Sequence, residues 1–249
     1  MMKKTIFTVL IGLAMLSFTG PDEFLTAQKK HERVRVALKE KHAAVENIVK
    51  KHGGELDQLN LLLVAYKDSD VLVVYGKLPK DKVYRKIHSY KVCSRSGELG
   101  PKRKEGDGQV PEGFYHIDRF NPNSQFYLSL GINYPNLADR RKSREARLGG
   151  DIFIHGSCVT IGCLPMTDDL IKEVYLLAVY ARNGGQTEIP VYLFPFRMTD
   201  KNMTVYMSRY RDNPQLLAFW ENLKIGHDKF MKYGRKLKVQ VNSKGDYEF

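Results

Sequence analysis

The residue types that can carry out chemistry are concentrated in one stretch, DIFIHGSCVTIGCLPM, at positions 151–166. An apolar run there is interrupted by His155, Cys158 and Cys163, with two glycines between them. An imidazole and thiols at this spacing can bind a metal ion, close a disulfide, or pair a nucleophile with its base. Each of these chemistries makes its own demand on the spacing and on the residues nearby.

A metal site is the least favoured interpretation. The pattern H-x2-C-x4-C supplies three ligands, whereas a structural zinc ion takes four and usually draws them from two close pairs. No fourth ligand is evident beside His155, Cys158 and Cys163. We therefore expect no bound metal, and a cysteine nucleophile would need no other cofactor.

The three cysteines of the chain leave at least one thiol free, whatever disulfide forms. Cys158 can pair with Cys93, or with Cys163 across a short loop whose closure contributes little stability. Cys158 can also remain a small buried apolar residue, as unpaired cysteines often do. The sequence leaves these alternatives open.

Cys163 has the surroundings of a nucleophile. It follows Gly162 and precedes Thr167, the predicted cap of the clearest helix, so backbone N–H groups and the helix dipole favour a thiolate. Gly162 allows a substrate to approach closely and can leave N–H groups free for an oxyanion. His155, at the end of a buried strand eight residues upstream, is placed to act as the base. On spacing alone the alternative is a packed histidine, which is commoner on an apolar strand.

The first twenty residues, MMKKTIFTVLIGLAMLSFTG, have the layout of a secretory signal peptide. A basic start at Lys3 and Lys4 precedes an apolar run that is too short to favour a membrane-spanning helix. We predict a signal peptide at 1–20, with its end between positions 20 and 27, and an exported protein of the periplasm or cell envelope. An uncleaved membrane anchor is the alternative.

The formal net charge of +12 favours an anionic partner such as a cell-wall polymer or a membrane surface. No helix-turn-helix, zinc-finger or ribonucleoprotein motif is present, so we expect no nucleic-acid partner. A solvated basic face that maintains solubility is the alternative.

Hydrophobic periodicity predicts an α+β fold with a mostly β core and helices at both ends. An amphipathic N-terminal helix is predicted at 28–54, the main domain at 55–198 and a helical extension at 199–249. The clearest helix is TDDLIKEVYLLAVYARNGG at 167–185, where Thr167 is the cap and two aspartates suit the positive end. Strands are predicted at 59–66, 70–78, 82–92, GFYHIDRF, SQFYLSLGINYP, DIFIHG and IPVYLFPF, with a long Gly- and Pro-rich loop at 96–113.

HGSCVTIGC, together with the upstream VPEGFY, resembles the catalytic domain of the L,D-transpeptidase (YkuD-type) family, which carries T-P-x-G-x-[FY], then H-G, then S-H-G-C. The sequence is most similar to the YafK-like murein L,D-transpeptidase branch. There the last motif shortens to H-G-x5-G-C, preceded by GPKRKEGDGQVPEGFY and NPNSQFYLSLGINYPNLADR much as here. The resemblance covers roughly residues 55–230. Ile161 replaces the histidine of S-H-G-C and Val110 stands where threonine is usual, so His155 is the only histidine beside Cys163.

The resemblance implies an L,D-transpeptidase-like fold and an exported cysteine enzyme that modifies peptidoglycan. Cys163 would attack the L-centre carbonyl of the stem-peptide diamino acid and form a thioester, while His155 takes and returns the proton. Gly162 would supply backbone N–H groups for the oxyanion. An amine resolves the thioester in L,D-transpeptidation, whereas water resolves it in an amidase or carboxypeptidase reaction.

Peptidoglycan stem peptides are the partners that this resemblance implies, with a wall-anchored lipoprotein as a further one, and we expect a monomer. We expect Arg140, Tyr134 and Gly156 to contact the substrate, Arg140 by holding a stem carboxylate. A solvated loop explains Arg140 about as well, and turn formation explains Tyr134. The alternative function is a non-catalytic peptidoglycan-binding module in which His155 and Cys163 are a relic site.

Overall fold

The structure is a computed structural model that describes residues 23–249, so the signal peptide predicted at 1–20 lies outside the described residues. No helix in this range is long and apolar enough to cross a membrane. Helices α1 to α6 are Glu23–Lys29, Glu32–Lys50, Leu137–Lys142, Asp168–Asn183, Asp200–Arg209 and Pro214–Tyr233. Strands β1 to β10 are Asn60–Tyr66, Val71–Lys77, Arg85–Lys91, Gly113–Ser124, Tyr127–Ile132, Ile152–His155, Leu164–Pro165, Pro190–Phe194, Gln240–Val241 and Tyr247–Glu248.

Eight strands form one sheet in the order β3-β2-β1-β8-β4-β5-β6-β7. Neighbouring strands are antiparallel, except that β1 runs parallel to β8 and β6 runs parallel to β7. The sheet curls so that the two ends of this order meet. The backbone N–H of Cys93, just after β3, donates to the carbonyl oxygen of Pro165 in β7 at 3.0 Å. We call this junction of residues 92–99 with β7 the seam.

Two apolar cores lie on the two faces of the sheet, because strand side chains alternate between faces. In β1, Leu61 and Leu63 enter the core shared with α2 and α4. Leu62 and Val64 enter the other core, shared with α6. Since both faces are covered, the central strands are continuous apolar runs rather than alternating ones. The predicted α+β fold with a β-rich core is confirmed.

The N-terminal helical region differs from the single helix predicted at 28–54. It consists of α1 and α2, separated by a turn at residues 30–31, and α2 ends at Lys50. α1 begins earlier because it is anchored on the domain. The backbone N–H of Leu25 donates to Oδ1 of Asn183 at 2.9 Å, and the ring of Phe24 packs edge-on against Phe120 at 5.0 Å. Such long-range contacts are not visible in the local sequence pattern.

Residues 199–249 form α5, α6 and the β9–β10 hairpin, and they pack on the main sheet. Asn213 caps α6 by accepting from the N–H of Leu216 at 3.1 Å, and Pro214 occupies the first turn, where no backbone donor is needed. Trp220 and Phe230 of α6 are buried in the second core. The boundary predicted at 198 therefore separates secondary-structure elements that share a core.

Glu112, immediately before β4, carries a fully buried carboxylate. Its Oε1 accepts from Nζ of Lys67 at 3.0 Å and from the N–H of Gly100 at 2.7 Å, and its Oε2 accepts from Nε1 of Trp220 at 2.9 Å. Lys67 also donates to the carbonyl oxygens of Gly100 at 2.7 Å and Val110 at 3.0 Å. One ion pair therefore connects the end of β1, the 95–112 loop and α6.

We predict that Glu112→Gln lowers the free energy of unfolding by roughly 3 kcal/mol, because the buried ammonium of Lys67 loses its counter-charge. The measurement is urea denaturation followed by the fluorescence of Trp220, the only tryptophan in the chain. The control is Glu46→Gln, which breaks an exposed pair with Lys50 and should leave the midpoint unchanged. Equal midpoints for Glu112→Gln and the wild type would contradict the role of the buried pair.

Candidate active site

The pairing of β6 with β7 brings the segments that carry His155 and Cys163 side by side. The two strands run parallel, with His155 opposite Pro165. Cys163 directly precedes β7 and therefore lies beside Phe153, two positions along β6 from His155. Phe153 and His155 project from the same face of β6, because side chains alternate along a strand. The register thus places a thiol and an imidazole on neighbouring segments at the edge of the sheet.

His155 is buried, and the residue that follows it fixes its tautomer. Its Nδ1 lies 2.6 Å from the carbonyl oxygen of Gly156. A carbonyl only accepts hydrogen bonds, so Nδ1 carries the proton of the neutral ring and Nε2 is the basic nitrogen. The ring packs on Phe126, with centroids 4.7 Å apart. Burial lowers the pKa of His155 below its ordinary 6.5, so the resting ring is neutral at pH 7.

Cys163 is half-buried, and its Sγ lies 3.6 Å from the carbonyl oxygen of Asp151. Burial raises the pKa of the thiol above its ordinary 9.0, and a hydrogen bond with the backbone of Phe153 opposes part of the shift. Burial thus opposes the thiolate that the dipole of α4 was expected to favour, and the effect of the dipole stays a prediction. The first turn of α4 has a cap of its own, since the hydroxyl of Thr167 accepts from the N–H of Leu170 at 3.3 Å.

The loop between the two candidate residues is held firmly at its start. Cys158 forms a disulfide with Cys93, with Cα atoms 5.6 Å apart, and this leaves Cys163 as the free thiol. The N–H of Ser157 donates to Oδ1 of Asp168 at 2.7 Å. Ser157 and Cys158 have φ angles of 66° and 42°, a region that non-glycine residues occupy only when their surroundings hold them there. Of the alternatives left open for Cys158, the structure shows pairing with Cys93, and this bond cross-links the two sides of the seam.

Gly162 occupies a position that requires glycine. Its φ is 139°, and a Cβ there would lie 3.0 Å from the carbonyl oxygen of Gln109. Its N–H donates to Oγ1 of Thr160 at 3.1 Å, and the N–H of Cys163 donates to the same oxygen at 2.8 Å. These N–H groups converge on one point, as an oxyanion site requires. A side chain of the protein occupies that point, and the assignment of Gly162 to the oxyanion stays a prediction.

Cys163 opens onto a cavity of about 200 Å³ inside the seam. Its lining includes four charged residues of both signs, Lys67, Arg95, Asp70 and Glu98. Nε of Arg95 donates to Oδ1 of Asp70 at 3.0 Å. A cavity of this kind suits a group that carries both an amine and a carboxylate. Its apolar walls are Ala65, Val92, Val110 and Leu164.

Arg140, Tyr134 and Gly156, the predicted substrate contacts, do not line this cavity. Arg140 is exposed on α3. Tyr134 is buried, and its hydroxyl lies 3.3 Å from the carbonyl oxygens of both Lys102 and Leu148. Gly156 uses its carbonyl oxygen to hold the histidine ring. Substrate contact by these residues stays a prediction, and the structure gives Tyr134 and Gly156 contacts within the protein.

Arg95, Asp70 and Thr160 are the residues of this site that sequence reasoning missed. Arg95 and Asp70 stand in segments that have the composition of a loop and a turn, and only the closure of the sheet brings them to Cys163. Thr160 did carry a signal, because it occupies the serine position of the family motif S-H-G-C. No group of three or more His, Cys, Asp or Glu side chains within residues 23–249 is arranged to hold a metal ion.

The family model of the L,D-transpeptidase catalytic domain (YkuD) matches residues 61–191, which include both His155 and Cys163. YafK of Escherichia coli strain K12, an L,D-transpeptidase-family protein, is 38% identical over 179 residues, or 71% of this chain and 68% of that protein. The same values hold for YafK of Escherichia coli O157:H7. The chain belongs to the L,D-transpeptidase catalytic domain family. The family predicted from VPEGFY and HGSCVTIGC is confirmed.

Solved structures that resemble this L,D-transpeptidase-family chain are more distant. The helical cell shape determining protein Pgp2 from Campylobacter jejuni is 18% identical, with a TM-score of 0.43 over 80% of both chains. Bd1075 from Bdellovibrio bacteriovorus is 23% identical, with a TM-score of 0.40 over 68% of this chain and 60% of that one. L,D-transpeptidase 1 from Mycobacterium tuberculosis is 14% identical, with a TM-score of 0.30 over 55% and 62%.

We predict that the resting Cys163 is a thiol rather than a thiolate at pH 7, because burial raises its pKa while it lowers that of His155. Alkylation by iodoacetamide, followed by mass spectrometry of the oxidised protein, should accelerate about tenfold per pH unit from pH 6 to 9. His155→Gln should show the same slope, and Cys163→Ala should not be labelled. A plateau of the rate below pH 7 would indicate a thiolate–imidazolium pair and contradict the prediction.

Proposed function

We propose that this protein is an exported cysteine acyltransferase that acts on peptidoglycan stem peptides. Membership of the L,D-transpeptidase family supports a peptidoglycan-modifying function. The observation that carries the residue assignment is the free thiol of Cys163 on the segment that pairs with β6, the strand that carries His155 with a fixed tautomer. In this arrangement His155 has one nitrogen available as a base and Cys163 is a nucleophile that needs one.

The proposed reaction has two halves. Nε2 of His155 takes the proton of the Cys163 thiol as Sγ bonds to the L-centre carbonyl carbon of the diamino acid. The carbon–nitrogen bond to the following D-amino acid then breaks, and the imidazolium returns the proton to the departing amine. The resulting thioester is attacked by an amine or by water, with His155 again accepting a proton, and the thiol is restored.

The cavity beside Cys163 supports a diamino acid as the acyl donor. The far D-centre of a meso-diamino acid carries an amine and a carboxylate, and the cavity presents Arg95 beside Asp70 and Glu98. A guanidinium matches the geometry of a carboxylate, while the acidic residues suit the ammonium. We therefore assign Arg95, rather than Arg140, to the second carboxylate of the diamino acid.

We place the protein in the periplasm or cell envelope. The substrate class lies outside the cytoplasm, and the predicted signal peptide at 1–20 would provide export. The Cys93–Cys158 disulfide supports an oxidising compartment, since such bonds are rare in reducing ones. A wall-anchored lipoprotein is a further partner in this proposal, as the leaving group or as the acceptor amine.

We further propose that water competes with amines for the thioester. Ile161 occupies the histidine position of S-H-G-C, so His155 alone serves both halves of the reaction. The thiol is half-buried rather than enclosed, which leaves a path for water to the acyl group. A base that serves both steps activates water as readily as an incoming amine.

We predict that the purified protein forms a covalent thioester with a defined disaccharide-tetrapeptide and that Cys163→Ala forms none. His155→Gln should acylate at least 100-fold more slowly, because general base catalysis contributes roughly 10²–10⁴-fold. Intact-protein mass spectrometry measures the adduct, and His116→Gln is the control for loss of an unrelated histidine. Wild-type protein that binds the donor but never forms an adduct would indicate the non-catalytic binding module instead.

Running the same acylation reaction in oxygen-18 water shows whether water or an amine resolves the thioester. With excess amine present, we expect labelled tripeptide carboxylate alongside cross-linked product, because both nucleophiles reach the thioester. Cross-linked product alone, with no labelled tripeptide at any amine concentration, would show a strict transpeptidase.

We predict that Arg95→Gln raises KM about tenfold for a donor with a diaminopimelate stem, because one charge-assisted contact to its second carboxylate is lost. A donor with lysine in place of diaminopimelate lacks that carboxylate and should show no change between Arg95→Gln and the wild type. Arg211→Gln, at an exposed arginine beside Asp212, is the matched control. Equal effects of Arg95→Gln on the two donors would refute the assignment of Arg95.

A further inference from the structure

We propose that the hydroxyl of Thr160 occupies the oxyanion-binding position of the resting enzyme, so that the substrate carbonyl must displace it before Cys163 is acylated. This inference rests on the proposed function, since it concerns the carbonyl that Cys163 attacks. In this inference the Thr160 hydroxyl accepts from the N–H groups of Gly162 and Cys163 until the developing oxyanion takes its place.

The hydrogen bonds of Thr160 carry this inference. Its Oγ1 accepts from the N–H of Gly162 at 3.1 Å and from the N–H of Cys163 at 2.8 Å. The same hydroxyl donates to the carbonyl oxygen of Cys163 at 2.9 Å. A hydroxyl has one donor and two acceptor sites, and these three bonds use all of them. The hydroxyl is therefore held at this point by the backbone of the candidate nucleophile itself.

The position matches the requirements of an oxyanion site. Stabilisation of a tetrahedral intermediate needs two backbone donors about 2.7–3.1 Å from the oxygen that develops charge. The N–H groups of Gly162 and Cys163 converge on one oxygen at such distances and adjoin the attacking sulfur. In the resting state that oxygen belongs to Thr160.

Replacement of the Thr160 hydroxyl by the substrate oxygen stabilises the transition state more than it stabilises the bound substrate. A neutral carbonyl oxygen offers the two N–H groups no more than the hydroxyl does, so it gains little by displacing Thr160. An oxyanion binds the same donors roughly twice as strongly as a neutral acceptor. Displacement is therefore driven as charge develops, which is when binding energy accelerates a reaction.

Apart from the hydrogen bonds that are exchanged, movement of the segment around Thr160 costs little. It is pinned before Thr160 by the Cys93–Cys158 disulfide and after it by Leu164 in β7. Between these anchors Val159 and Ile161 are 54% and 88% exposed, so their displacement uncovers little apolar surface.

Ser96 offers the displaced hydroxyl a new partner. Its Oγ already lies 3.5 Å from Oγ1 of Thr160. A small rotation about χ1 of Thr160 would shorten this contact while opening the N–H pair of Gly162 and Cys163. Ser96 also lines the cavity onto which Cys163 opens, so the hydroxyl would move along the wall of the substrate site.

The test compares acylation with alkylation in Thr160→Val, which keeps the shape of the side chain but has no hydroxyl. Single-turnover acylation by the disaccharide-tetrapeptide should accelerate about tenfold, the worth of the hydrogen bonds that no longer have to be exchanged. Alkylation by iodoacetamide creates no oxyanion and should stay within twofold of the wild type. Thr160→Ser keeps the hydroxyl and should acylate at the wild-type rate.

A second variant distinguishes a Thr160 hydroxyl that blocks the N–H pair from one that only supports the loop. Ser96→Ala removes the partner of the displaced hydroxyl, so it should slow acylation a few-fold in the wild type and have no effect in the Thr160→Val background. Slower acylation of Thr160→Val together with slower alkylation would show that Thr160 only supports the loop, and would overturn the inference. An unchanged acylation rate in Thr160→Val would overturn it as well.

If neither wild type nor Thr160→Val acylates with any stem peptide, the proposed function fails together with the inference. An active wild type with a slower Thr160→Val overturns the inference alone.

Discussion

A buried carboxylate without a partner is too costly to keep, and Glu112 is the carboxylate on which this structure depends. Its partners come from three separate parts of the chain, namely Lys67 after β1, Gly100 in the long loop and Trp220 in α6. Pairing therefore forces the 95–112 loop against the sheet although the loop has no regular secondary structure. Residues of this loop form one wall of the cavity, and the backbone of Gln109 sets the space in which Gly162 must fit. The ordered position of the 95–112 loop at the candidate site therefore depends on the pairing of the Glu112 carboxylate.

The seam places the candidate nucleophile, Cys163, where the sheet closes on itself. Cys163 lies immediately before β7, the last strand in the order of the main sheet, and its N–H and that of Gly162 donate to the hydroxyl of Thr160. The Cys93–Cys158 bond spans 65 residues and fixes this junction. Closing a loop of that length restricts the unfolded chain by roughly 4 kcal/mol in the chain-entropy model. A candidate nucleophile at such a junction depends on a strong local link, because a small shift of β7 against residues 92–99 would change the cavity and the thiol together.

The features that the sequence could predict are those set by interactions within a few residues. Apolar runs of six to eight residues bounded by turns located the strands, and Thr167 located the start of α4, because these signals act within a few residues. The family motif identified His155 and Cys163 as candidates, and their catalytic roles stay predictions. The start of α1, the ordering of the 95–112 loop and the place of Arg95 in the cavity were not predictable, since each depends on partners far away in sequence. The direction of the thiol pKa was missed for the same reason, because the burial that raises the pKa depends on segments far away in sequence.

The separate features of the site have one consequence in common. Burial holds Cys163 as a thiol and His155 as a neutral base, and the hydroxyl of Thr160 fills the N–H pair beside the sulfur. A thiolate is the form that oxidants and stray electrophiles attack, so a resting thiol is protected in an oxidising compartment. In the proposed reaction, such a site would gain its reactivity when a bound carbonyl offers both an electrophile for the sulfur and a developing charge for the N–H pair. The partial burial that raises the pKa of the thiol also lowers the local dielectric around that developing charge, so protection and activation would arise from one arrangement.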